Sequence, residues 1–91
     1  MIKSRLTVLR KRIDRIDRRL AGLLAKRYEC ISKIGQYKLE NNISVADPDR
    51  ESEVLERVTS RIADEGASIF VSRVYSGIFD ASRTVEKNEK L

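Results

Sequence analysis

A line of apolar residues runs from Ile2 through Leu6, Leu9, Ile13, Ile16, Leu20 and Leu23, stepping by four and three, and resumes at Cys30, Ile34 and Tyr37. Those steps keep side chains on one face of an α-helix, so the pattern predicts one long helix over roughly residues 4–40. No proline interrupts it. The stretch "ENNISVADP" ends it with two consecutive Asn, a pair of β-branched positions and then a new start signal. That signal is Asp47, a residue type that caps helix N-termini, followed by Pro48 in the first turn. A second helix is expected over about 48–64, with Val54, Leu55, Val58 and Ile62 as its apolar face and Gly66 placed to terminate it. Ser68 is expected to cap a third helix over about 68–87, whose apolar face is Val71, Val74, Tyr75, Ile78 and Phe79.

The fold class is therefore all-α: a three-helix chain whose first helix is about as long as the other two together. Two short helices cannot cover the stripe of such a long one unless a second copy shares it, so an intertwined helical homodimer is expected. The 91 residues are most simply one domain, 1–91, with a modest core. No repeat, linker or low-complexity segment divides them, and the tail "KNEKL" is expected to fray. A charged content of 36% alone would suit a disordered chain, but 41% hydrophobic residues in periodic arrangement argue for a folded one.

Composition narrows the chemistry. There is no His and a single Cys, which excludes a Cys/His metal site, a His-dependent triad and an internal disulfide. Cys30 lies on the helical stripe and is read as a small packing residue. The N-terminal stretch has no uninterrupted apolar run of the kind a signal peptide needs, and no later run approaches a membrane span, so a soluble cytoplasmic protein is expected. A net charge of +5 points to an anionic partner. With two Phe and three Tyr, none interleaved with a basic run, a stacking platform for single-stranded nucleic acid is poorly supported.

Polar residues then appear on faces that should be apolar. Arg27 falls on the seam between Leu23 and Cys30, and Lys38 is eleven residues later on nearly the same face, about 16 Å along the helix. Glu51 lines up with Val54, Leu55, Val58 and Ile62, with Arg50 beside it. The third helix carries its line from Ile78 into Ser82, Val85 and Glu86. Any one of these side chains can snorkel to solvent. Together, Arg27, Lys38, Glu51, Ser82 and Glu86 need one another or a ligand, because an uncompensated buried charge costs several kcal/mol. An anion-binding cavity satisfies the cations and agrees with the net charge. Arg10 lies about 25 Å from Arg27 along the same helix, so only an antiparallel partner helix delivers it to that cavity. On periodicity alone it is a solvated Arg in a run of mixed sign.

The stretches "LRKRIDRIDRRLAGLLAKR", "GQYK" and "DPDRESEVLERV", with the register continuing to Ser82 and Glu86, resemble the all-helical chorismate mutases over residues 5–87. The resemblance implies a [3,3] rearrangement of chorismate to prephenate in phenylalanine and tyrosine biosynthesis. It implies no cofactor, no metal and no covalent intermediate, in a homodimer whose two sites each borrow a residue from the other chain. By similarity, Arg27 and the partner subunit's Arg10 grip the two carboxylates of the substrate, with Arg50 and Ser82 assisting. Glu51 and Asp47 hold the ring hydroxyl. Lys38 and Glu86 face the ether oxygen of the breaking bond.

One position departs from that pattern, since many members carry Gln where this chain has Glu86. An ionised Glu86 repels the ether oxygen and pairs with Lys38, whereas a protonated one donates a hydrogen bond as the amide does. Activity is therefore expected to be best at mildly acidic pH and to fall as pH rises. Two alternatives stand beside the mutase: an isochorismate-pyruvate lyase of similar fold and arginine set, and a non-enzymatic basic helical dimer binding nucleic acid. Asp47 and Glu51 favour the mutase over the lyase, and inward-facing Glu51 and Glu86 are unexplained by nucleic-acid binding.

Overall fold

The computed structural model describes residues 4–91, so Ile2, the first position of the apolar stripe, lies outside it. Three helices account for its regular structure: α1 (Arg5–Glu40), α2 (Pro48–Thr59) and α3 (Glu65–Glu86). Among the described residues there is no strand. Ser4 opens α1, its hydroxyl accepting from the Thr7 amide at 3.1 Å. Asn42 closes it in the left-handed region, at φ 56°. The Ile43 amide then turns back onto the Lys38 carbonyl at 2.8 Å and the Asn42 amide onto Leu39, the paired bonds of a Schellman cap. The consecutive Asn thus stop the helix through backbone geometry.

The chain divides into two compact units, one reaching Cys30 and the other Ile31–Leu91. In the first, every described residue except Arg27 is exposed. The stripe residues Leu6, Leu9, Ile13, Ile16, Leu20 and Leu23 are between 41% and 63% exposed, so the described residues of this unit leave them uncovered.

In the second unit, α2 packs against α3. Val54, Leu55, Val58 and Ile62 are half-buried, as are Val71, Tyr75 and Ile78, and Phe79 is buried. The Tyr75 and Phe79 rings meet at 5.6 Å between centroids, tilted by 60°, a favourable offset for an aromatic pair. Val74, placed on the same face by periodicity, is 45% exposed. Phe79 is the one buried hydrophobic side chain among the described residues, a thin core for a chain of this size.

The boundary between the second and third helices differs from expectation. The second ends at Thr59 rather than near residue 64, and the third begins at Glu65 rather than 68. Hydroxyls close α2: Thr59 Oγ1 donates to the Leu55 carbonyl at 2.8 Å and Ser60 Oγ to that of Arg57 at 3.2 Å. Asp64, not Ser68, caps α3, its carboxylate accepting from the Ala67 amide at 2.7 Å. Ser68 is already inside the helix, its amide bonded to the Asp64 carbonyl. Gly66 lies in the first turn without a positive φ, so it terminates nothing.

The far end of α3 also departs from expectation. Asn88 adopts φ 59°, its amide bonding the Val85 carbonyl at 2.9 Å and the Glu89 amide that of Thr84 at 3.1 Å. This is a second Schellman cap, so the first residues of "KNEKL" lock the helix end.

Candidate active site

The end of α1 and the end of α3 meet at Gly35 and Glu86. Gly35 is the buried residue of α1, and the backbone of Glu86 lies directly against it. One helical turn beyond Gly35, Lys38 reaches the Glu86 carboxylate, with Nζ 2.6 Å from Oε1. The two side chains are only 15% and 10% exposed. Lys38 also donates to the Val45 carbonyl at 3.2 Å, which fixes its ammonium from the loop side. Glu86 Oε1 has no hydrogen bond of good angle, so its contact with Lys38 is close but poorly directed. A buried carboxylate oxygen in that state is ready to accept a better-aligned donor.

Asp47 is the N-cap of α2, its Oδ1 accepting from the Arg50 amide at 3.1 Å. The Pro48 ring suits the first helical position, where its missing N–H leaves nothing unbonded. Arg50 itself runs along the surface of α2, more than half exposed, with Nη1 2.9 Å from Glu53 Oε1. Arg57 holds the same oxygen at 2.6 Å. Glu51 turns the other way and is half-buried. Its two carboxylate oxygens accept from Nη1 of Arg83 on α3, at 2.7 and 2.6 Å.

That contact raises the Arg83 pKa above its ordinary value. The Glu51 hydrogen bond is the largest cause, opposed by some desolvation and aided by the charges of Glu51 and Asp80. Ser82 is half-buried beside Arg83, its hydroxyl donating to the Ile78 carbonyl at 2.6 Å, and it shares a face with Glu86 one turn later. Arg10 and Arg27 belong to the first unit, Arg10 exposed and Arg27 half-buried.

A profile of the chorismate mutase type II family matches residues 9–87, a span that includes each of these side chains. The chain belongs to that family. It is 31% identical over 87 residues to a bifunctional chorismate mutase/prephenate dehydratase of Aquifex aeolicus, covering 91% of this chain and 24% of that protein. To the bifunctional chorismate mutase/prephenate dehydratase of Escherichia coli K12 it is 35% identical over 78 residues, covering 85% of this chain and 20% of the relative. A T-protein of Enterobacter agglomerans matches at 38% over 52 residues, 57% of this chain and 14% of the relative. The chain thus spans a quarter or less of the length of these curated relatives.

Within this chorismate mutase type II domain, two clefts lack Arg27, Lys38 and Arg50 in their walls. One of about 270 Å³ is bordered by Gly35, Gln36, Leu39, Val85 and Glu86, and one of about 310 Å³ by Pro48, Glu51, Leu55, Ser72 and Phe79. Neither has Lys38, Arg50 or Ser82 in its walls, so neither is the anion cavity that the charge pattern calls for. Arg83 is the residue that sequence reasoning passed over. Its pairing with Glu51 spans 32 positions and joins two helices, and no local periodicity marks such a contact.

Proposed function

We propose that this chain is a cytoplasmic chorismate mutase that converts chorismate to prephenate as an intertwined homodimer with shared sites. The observation that carries this reading is the Lys38–Glu86 pair, a 2.6 Å contact shielded from water and lying within the residues matched by the family profile. The reaction breaks an ether C–O bond and forms a C–C bond in one concerted step, with no group leaving. It needs neither nucleophile nor proton transfer. What accelerates it is confinement of the dianion in its compact reactive conformer and donors where negative charge gathers on the ether oxygen.

In this reading Arg27 and the partner subunit's Arg10 hold the two carboxylates, where guanidinium geometry allows paired hydrogen bonds. Arg50 and Ser82 assist, and Arg50 swings from its exposed pairing with Glu53 to do so. Asp47 and Glu51 receive the ring hydroxyl, and Lys38 and Glu86 face the ether oxygen. The uncovered stripe from Leu6 to Leu23 supports the dimer, since a contiguous exposed apolar face of this regularity marks an association surface. An antiparallel second copy covers it with its own stripe and carries Arg10 the distance that its own chain cannot.

The test is incubation of the purified protein with chorismate, following loss of its ultraviolet absorbance and identifying the product, in parallel with Arg27→Ala. Prephenate formed by the wild type and lost in the variant establishes both the activity and the cationic clamp. Chorismate left unconsumed from mildly acidic to neutral pH overturns the reading, and isochorismate is then the next substrate to offer.

A further inference from the structure

Gly35 occupies a place where no other residue fits the present backbone. A Cβ built there lies 2.8 Å from both the Cα and the carbonyl oxygen of Glu86 and 3.2 Å from its carbonyl carbon. Ordinary contact begins near 3.4 Å, so the two helices approach more closely than any side chain at position 35 allows. The obstructing atoms are backbone, which cannot swing aside as a side-chain tip does.

Four further facts give the approach a purpose. Gly35 does not have a positive φ, so backbone conformation does not demand glycine, and glycine inside a helix is disfavoured relative to alanine. Glycines Gly22 and Gly77, also helical, have open space where a Cβ would go. The residue that Gly35 touches is Glu86 itself, whose carboxylate meets Lys38 from the next turn of α1. Both helices are closed by Schellman caps just past the crossing, at Asn42 and Asn88, so neither end yields locally when pushed.

We propose that Gly35 is a positioning residue for the rearrangement: by letting the backbone of Glu86 rest on α1, it sets the separation at which Lys38 and Glu86 face the reacting ether oxygen. It touches no reacting atom and acts through that pair. The inference rests on the mutase reading above. A methyl group at position 35 displaces the end of α3 by at least several tenths of an ångström, a scale on which catalytic geometry is sensitive.

The experiment compares wild type, Gly35→Ala and Gly77→Ala by circular dichroism, then measures kcat and KM with chorismate. Gly35→Ala is expected to lower kcat by about ten- to a hundredfold with KM changed by less than about threefold. Gly77→Ala should match the wild type. Repeating Gly35→Ala in a Glu86→Ala background separates positioning from packing, because a residue acting through Glu86 adds little further loss once that carboxylate is gone.

A folded Gly35→Ala with wild-type kcat, or a full additional loss in the Glu86→Ala background, overturns the inference while leaving the mutase reading intact. No turnover by the wild type overturns both. If Gly35→Ala is unfolded in buffer, kcat is read in trimethylamine N-oxide, which favours compact states, against wild type in the same solution. A variant that stays unfolded there also overturns the proposal, since glycine then serves the fold alone.

Discussion

Nη1 of Arg83 on α3 donates to both carboxylate oxygens of Glu51 on α2, at 2.7 and 2.6 Å. The pair is partly exposed and therefore screened, so its value lies in orientation more than in stability. It aims the carboxylate proposed to receive the ring hydroxyl. Arg83→Ala should raise KM for chorismate on the order of tenfold, with a smaller fall in kcat, and Arg83→Lys should recover part of the loss. Steady-state kinetics on the folded variants decide it, and an unchanged KM would remove Arg83 from the site.

Arg83 does not confuse a pH profile. Its pKa is raised, so its contribution to stability is complete below its unfolded value and is lost only as pH rises through a strongly alkaline one. From mildly acidic to neutral pH its own titration adds no slope. Glu86, 2.6 Å from Lys38, is the carboxylate proposed to face the ether oxygen. Glu86→Gln removes a negative charge there and leaves an amide that donates a hydrogen bond, so kcat at neutral pH should rise. A folded variant with kcat unchanged or lower would remove Glu86 from the reacting bond.

The helix caps separate stability from chemistry. Asp64→Ala should cost about 1 kcal/mol of unfolding free energy through loss of the bond to the Ala67 amide, and Ser68→Ala less than about 0.5 kcal/mol. Equal losses in denaturant titrations would return the cap to Ser68. At the other cap, Asp47→Asn preserves an acceptor for the Arg50 amide, so stability should hold and any change in KM reports the proposed hydroxyl contact.

Periodicity carried most of the architecture because α1 is long and its apolar steps are regular, with paired Asn at its end and Asp-Pro at the start of α2. It failed between residues 59 and 68, where Ser60, Asp64, Gly66 and Ser68 all have local roles available. Competition there is settled by which side chain reaches a free amide, and Asp64 does so at 2.7 Å. The inward polar residues were legible as a set, and the Lys38–Glu86 contact realises part of it. Arg83 and the close approach at Gly35 were not, since each depends on which helix surfaces meet. Arg50 shows the converse: adjacency to Glu51 in sequence placed it toward the site, yet one helical step of 100° turns it out to Glu53.

The proposed shared sites make a prediction that neither an isolated chain nor an unshared dimer can meet. Arg10→Ala and Arg27→Ala should each be nearly inactive alone, because every site then lacks one guanidinium. When the two variants are mixed and allowed to exchange, half of the dimers pair one chain of each kind, and in those one of the two sites draws both arginines from unmutated positions. About a quarter of the wild-type activity should therefore return. Leu20→Glu, placing a charge in the uncovered stripe, should yield monomers by sedimentation and prevent that recovery when introduced into both variants. No recovery between variants shown to exchange, or full activity in Arg10→Ala alone, would mean that each chain completes its own site and that the stripe serves another association.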